Sequence, residues 1–247
     1  MKINQAVILA GGRGERLMPL TKNIPKPLVE INKVPFCDYL IQSFIEIGIT
    51  KVLFLIGYKG ELIKERYSNL NGLKTEFSNS DLNTQTGKRI LNAYDFLDEF
   101  FLLTYCDNYW PIDLNSMLIN YHKKNVPIST TVFSNKHGSG EYGLENNIKI
   151  NSKGYVEKYD KIRKSQGLNG VDIGFFIINK KFLEISEKNL SFENDMLPKF
   201  IDQNNLAAFI TDKQYYYITD LKCIKKFENV VTMNKFKHLS SNYFYNK

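Results

Sequence analysis

Short unbroken apolar runs alternate with amphipathic stretches from the start of the chain. Ala6, Val7, Ile8 and Leu9 form the first run, and residues 52–56 and 100–105 form two more. Runs of this length fit strands covered on both faces in a mainly parallel sheet. Between the first two, Phe36, Tyr39, Leu40, Phe44 and Ile47 recur at helical spacing, and Gly48 stands where a helix would stop. Strand, loop, helix and strand in this order predict a βαβ unit. Residues 59–67 predict a second helix and 73–77 a third strand; the polar stretch 81–87 predicts a loop before a helix marked by Ile90, Ala93, Tyr94 and Leu97. Leu114, Met117, Leu118 and Tyr121 line a further helix, with Asp113 placed to cap it and a strand at 128–133 after it. From His137 to Tyr159 the texture becomes glycine-punctuated and alternating, which predicts antiparallel hairpins. A buried strand at 174–178, a helix near 195–202, strands at 207–211 and 215–218 and a last helix from Leu221 complete the order.

Length and composition narrow this picture without changing it. The chain has 247 residues, enough for one large α/β domain with a substantial core. The 33 Lys and Arg exceed the 26 Asp and Glu, but they are spread among acids with no long basic run, so most read as solvated surface. A nucleic-acid partner is therefore not expected. Cys37, Cys106 and Cys223 are far apart and lack CxxC spacing, which supports neither a disulfide framework nor a zinc site and suggests a reduced, cytoplasmic setting. No cleavable signal and no apolar span of ~20 residues stands out, so no membrane partner is expected either.

The chemistry begins at residues 9–28, LAGGRGERLMPLTKNIPKPL. This loop leaves the carboxyl end of the first strand, where open α/β sheets place their ligands. Gly11, Gly12 and Gly14 allow close backbone approach, so that amide N–H groups can converge on phosphate oxygens. Arg13, Arg16 and Lys26 add charge suited to a triphosphate, and the flanking prolines restrict the backbone at Lys26. A dinucleotide fingerprint would need glycine at Leu17, and a Walker loop needs Gly-Lys-Ser/Thr, which never occurs here. A second candidate is Asp107, directly after an apolar strand; a carboxylate there can bind Mg²⁺, although an ordinary turn aspartate reads the same way. Thr84, Gln85, Thr86 and Gly87 offer donors and acceptors for a nucleobase edge, with a polar turn and helix cap as the plainer alternative.

The glycine pattern followed by PKPL resembles the opening of the sugar-1-phosphate nucleotidyltransferases, GG-x-G-x-R-L and then P-K-P-(L/M). The resemblance covers nearly the whole chain. It implies a Rossmann-like, glycosyltransferase-A-like α/β fold with a mainly parallel sheet and a small antiparallel sugar-binding portion. The implied division is a nucleotidyltransferase domain over residues 1–233 and a C-terminal tail over 234–247, either packed on a partner or loose. The implied ligands are a nucleoside triphosphate, a sugar 1-phosphate and Mg²⁺, with a homodimer left open. By position, Leu9, Ala10, Gly11, Gly12, Arg13 and Gly14 would hold the nucleotide with Thr84, Gln85, Thr86 and Gly87. Arg16, Lys26 and Asp107 would carry catalysis, Asp107 as the metal ligand. Val156-Glu157-Lys158 is similar to the family's V-E-K-P, which assigns Glu157 to the sugar and Lys158 to its phosphate; Asn108, Asn169, Gly170 and Asp172 complete the implied sugar side. The combination of TQTGKR, LLTYCDNYWPID and NGVDIG looks most like members that use GTP and D-glycero-D-manno-heptose 1-phosphate, with cytidylyl-, thymidylyl- and uridylyltransferases as alternatives.

There are departures. Cys106 replaces the usual glycine before Asp107, and Tyr159 the proline of V-E-K-P. Tyr217 stands where a Y-D-I-G-T-P pattern places a second metal-binding aspartate. Either Asp107 serves with triphosphate oxygens and water, or Asp220 or Asp172 substitutes, or the chain is a weakly active nucleotide-sugar-binding regulator.

Overall fold

The computed structural model describes residues 1–244. Its centre is a sheet of β1 (Gln5–Ala10), β2 (Lys51–Ile56), β3 (Lys74–Asn79), β4 (Phe100–Tyr105), β5 (Ile128–Phe133), β6 (Val171–Asn179) and β7 (Leu206–Thr211). The spatial order is β7-β5-β6-β4-β1-β2-β3. Neighbouring strands run parallel except at β6, which is antiparallel to both β4 and β5. The expected mainly parallel α/β sheet is therefore present. The helices are α1 (Phe36–Glu46), α2 (Gly60–Tyr67), α3 (Thr86–Asn92), α4 (Leu114–Lys124), α5 (Leu197–Asp202) and α6 (Leu221–Asn234). Asp113 caps α4 as its position implies, accepting from the Ser116 amide at 3.1 Å.

The unbroken apolar runs arise because helices cover both faces of the sheet. Along β1, Ala6, Ile8 and Ala10 join one core with α1, whereas Val7 and Leu9 join the other with Ile90 of α3. Full burial of each such Ile, Leu or Phe side chain contributes about 1.5–3 kcal/mol. Ala6 stands opposite Val52 and Leu102, so β1, β2 and β4 end together. Their carboxyl ends deliver Gly11, Gly57 and Cys106-Asp107 to one edge. Among the described residues, no helix is long and apolar enough to cross a membrane.

Three expectations need correction. The helix expected around residues 90–97 begins earlier, at Thr86, and gives way after Asn92 to a 3₁₀ turn at Tyr94–Phe96. Thr86 and Gly87 thus lie on a helix rather than in the preceding loop. The cause is distant in sequence: the Lys88 amide donates to the Leu190 carbonyl, and Gly87 packs against residues 190–196. The strand expected at 174–178 is longer, because Val171 to Asp172 also pair with β5 before a register shift. In the described part of the tail, residues 234–244, two side chains pack on the same chain; residues 245–247 lie outside the described residues. Phe236 packs on Tyr109, Tyr216 and Phe227, and Leu239 is buried.

The antiparallel portion is a ribbon of Ile148–Ile150 with Val156–Tyr159. A second short ribbon pairs Asn108–Tyr109 with Tyr216–Tyr217, directly after the end of β4. The first lies where the alternating, glycine-rich texture places it, and Tyr216–Tyr217 falls within the strand expected at 215–218.

Candidate active site

One cavity of about 700 Å³ opens at the carboxyl edge of the sheet. The glycine loop forms one wall, with Leu9, Gly11, Gly12, Arg13, Gly14, Arg16 and Lys26 lining it. Thr84, Gln85 and Thr86 line another wall, and Tyr105 to Asp107 close the floor. The glycine loop, the segment at Thr84–Thr86 and the aspartate after β4 therefore line one cavity.

Several contacts fix the glycine loop. Gly14 adopts the left-handed region, φ 66°, and its carbonyl accepts from Thr21 Oγ1 at 2.9 Å. The Gly11 carbonyl accepts from the Tyr58 amide at 3.1 Å. Among the described residues, the amides of Gly12, Arg13 and Gly14 donate to no protein acceptor. Unpaired amides at a strand exit are the backbone nest that phosphate oxygens occupy.

Lys26 is buried, and its Nζ donates to Asp107 Oδ2 at 2.6 Å. This pair places a cation and a carboxylate at the point where the two parallel strands β1 and β4 emerge. Cys106, the departure from glycine, is buried. Burial, and then the charge of Asp107, pushes its thiol up to about 12, so it is a neutral packing residue and not a nucleophile. Arg16, more exposed, donates through Nη1 to Glu141 Oε1 at 3.0 Å and Tyr142 OH at 2.9 Å. These contacts tie Arg16 to the segment at Glu141–Tyr142.

Other sequence candidates sit away from the cavity. Ala10 points into the core below it. Gly87 serves packing: a Cβ there would lie 2.6 Å from Met196 Sδ. Asn108 donates through Nδ2 to the Ile173 carbonyl at 2.9 Å, at the start of the ribbon with Tyr217. Asn169 clamps the antiparallel ribbon, donating to the Ile150 carbonyl and accepting from its amide. Gly170 makes room for Val132, whose Cγ1 would be 2.5 Å from a Cβ. Glu157 pairs with Lys149 at 2.9 Å on the outer face, and Lys158 is exposed on the same strand.

Asp172 is buried and accepts from Thr130 Oγ1 at 2.5 Å; burial raises its carboxyl to about 6, although the Thr130 and Gly174 donors oppose this. Asp220 caps α6, accepting from the Cys223 amide at 2.8 Å. Tyr217, in the place of the second aspartate, directs its hydroxyl to the Gly140 carbonyl at 3.3 Å. Among the described residues, no three His, Cys, Asp or Glu side chains gather as a metal cluster. The donor set that remains is the Asp107 carboxylate beside the phosphate nest. One carboxylate completed by phosphate oxygens and water suits Mg²⁺, so the residues fit that ion.

Sequence reading left two residues without a role. Glu193, on the turn at Phe192–Met196, is buried and accepts from Thr86 Oγ1 and Tyr105 OH, each at 2.7 Å. Burial alone would raise its carboxyl, but these two donors outweigh it and hold the group below the ordinary glutamate range. It fixes the start of α3 against the cavity floor. Arg89 lies behind the glycine loop and also lines the cavity. Its signal, the arginine of TGKR, was visible, but its partners are backbone carbonyls that no motif can show.

Comparison with known proteins agrees with this geometry. The nucleotidyl transferase family matches residues 5–230. A probable glucose-1-phosphate cytidylyltransferase of Bacillus subtilis is 29% identical over 257 residues, covering 94% of this chain and 95% of the relative. The D-glycero-alpha-D-manno-heptose 1-phosphate guanylyltransferase of Campylobacter jejuni is 26% identical over 204 residues, covering 81% and 86%. The crystal structure of HddC from Yersinia pseudotuberculosis superposes with a TM-score of 0.76 at 25% identity, covering 95% of this chain and all of that one.

Proposed function

The chain belongs to the nucleotidyl transferase family, of sugar-1-phosphate nucleotidyltransferases, and on that premise we propose that it transfers the guanylyl group of GTP to D-glycero-D-manno-heptose 1-phosphate with release of pyrophosphate. The observation that carries the reaction class is the convergence of unpaired glycine amides, the Lys26–Asp107 pair and the loop at Thr84–Thr86 on one cavity.

In this reading the amides of Gly12 to Gly14, with Arg13 and Arg16, hold the outer phosphates. An oxygen of the sugar phosphate attacks the α-phosphorus; the new P–O bond forms as the bond to pyrophosphate breaks. The nucleophile is already an anion, so no covalent enzyme intermediate is needed. Lys26 balances negative charge developing on the phosphates. Mg²⁺ held by Asp107 supplies further charge neutralisation when bound. Lys26 Nζ donates to Asp107 Oδ2, which keeps the ammonium beside the carboxylate that would hold the ion.

A second reading, CTP with a hexose 1-phosphate, is favoured by the Bacillus relative, whose alignment spans nearly both chains. A grid of GTP, CTP, UTP, dTTP and ATP against heptose, mannose, glucose and N-acetylglucosamine 1-phosphates, read by pyrophosphate release, separates them. Fastest turnover with GTP and the heptose supports the first reading. Fastest turnover with CTP replaces it. No turnover in any cell of the grid, with nucleotide still bound, points to a regulator.

A further inference from the structure

Arg89 is 4% exposed, yet among the described residues no carboxylate hydrogen-bonds it. Every N–H of its guanidinium is instead spent on a backbone carbonyl. Nε donates to Thr84 O at 3.0 Å, Nη1 to Ile56 O at 2.8 Å and Ser80 O at 3.4 Å, and Nη2 to Asp81 O at 2.8 Å and Gly11 O at 3.4 Å. Three of these carbonyls, those of Ser80, Asp81 and Thr84, belong to the chain that leads into the nucleobase wall. One, that of Gly11, belongs to the phosphate loop, and one, that of Ile56, to the end of the strand between them. The backbone makes room for this planar fork. A Cβ at Gly11 would lie 2.3 Å from Nη1 and one at Gly57 2.6 Å from the same atom. The nucleobase wall has a second, outer clamp: Asn189 accepts from the Gln85 amide and donates to the Asn83 carbonyl. Among the described residues, Arg89 alone hydrogen-bonds to both walls.

We propose that Arg89 is a positioning residue that fixes the distance and tilt between the phosphate loop and the nucleobase loop, so that triphosphate binding and base selection are coupled through one buried guanidinium. This rests on the assignment of the cavity to a nucleoside triphosphate. Lysine at this position keeps the charge but offers three donors at one point, which cannot reach carbonyls on both walls together. Burial lowers the guanidinium's proton affinity, only partly offset by Asp81, so anionic phosphates in the same cavity also meet a cation with no bonded counter-ion.

The test compares the wild type with Arg89→Lys by equilibrium binding of the five nucleoside triphosphates and of inorganic tripolyphosphate, without sugar phosphate. Arg66→Lys, which loosens an arginine paired with buried Asp38 outside the cavity, is the control for general destabilisation. Arg89→Lys is expected to weaken the preferred triphosphate about tenfold or more, to narrow its preference over the others, and to weaken tripolyphosphate less. An unchanged preference, with only the loss of thermal stability that Arg66→Lys also shows, overturns the proposal. A measurement on the wild type needs no variant: tripolyphosphate seated on the glycine loop should slow amide hydrogen exchange in residues 81–84, and its failure to do so is equally contrary. Nucleotide binding without turnover removes the proposed reaction but leaves Arg89 tested. Absence of both nucleotide and tripolyphosphate binding removes both.

Discussion

Gly11 and Gly57 have no space for a methyl group because a guanidinium occupies it. Gly11→Ala is therefore expected to displace Arg89 and raise the dissociation constant for nucleoside triphosphate about tenfold or more, measured by calorimetry; affinity within twofold of wild type contradicts this. Asp172 gives a pH signature. Its folded value of about 6 lies above the unfolded value near 3.9, so the folded state holds the proton more tightly. The stability it contributes is complete below about pH 4 and is lost as pH rises through about 6, a change of about 3 kcal/mol. Asp172→Asn should flatten that decline in urea unfolding at pH 4 and pH 7; the wild-type slope retained in the variant argues against it. At this scale the sequence was readable where chemistry is local. Gly12, Arg13, Lys26 and Thr84 sit within short motifs, and all four line the one cavity. Arg89 and Glu193 were not readable, because their partners lie far away in the chain or on the backbone.

At the scale of elements, α3 shows how tertiary contact overrides a local pattern. Its apolar face pointed to residues 90–97, but the helix starts at Thr86, where Glu193 and the Leu190 carbonyl hold it. Gly87→Ala would set a Cβ 2.8 Å from that carbonyl and is expected to cost about 1–3 kcal/mol in denaturant unfolding. The tail follows the same logic. Rich in aromatic residues and without periodicity, it offered no local signal for its partner, yet Phe236 lies 5.0 Å, centroid to centroid, from Tyr109. Tyr109 belongs to the ribbon that follows Asp107, so the tail braces the chain beside the metal-fitting carboxylate. Phe236→Ala should lower stability by about 1–2 kcal/mol, visible as a lower unfolding midpoint; an unchanged midpoint would show that the cluster closes without it.

For the molecule as a whole, the sheet was legible because helices on both faces make its strands continuous apolar runs, and parallel β1 and β4 necessarily present their carboxyl ends together. The sugar side was less so. Asn169 and Gly170 are spent on the ribbon and on packing against β5, and Glu157 on Lys149, roles that their motif did not distinguish from sugar contact. Base and sugar identity depend on the shape between the two walls of the cavity, which no single segment encodes. In the proposed reaction, one cavity joins triphosphate and sugar phosphate directly. The most direct measurement follows pyrophosphate and NDP-sugar together, in Mg²⁺, for the best pair in the substrate grid, with Asp107→Asn alongside. The expected result is one NDP-sugar for each pyrophosphate, no release without sugar phosphate, and a loss of about a hundredfold or more in Asp107→Asn. Pyrophosphate released at the same rate without sugar phosphate, or full turnover in Asp107→Asn, would contradict it.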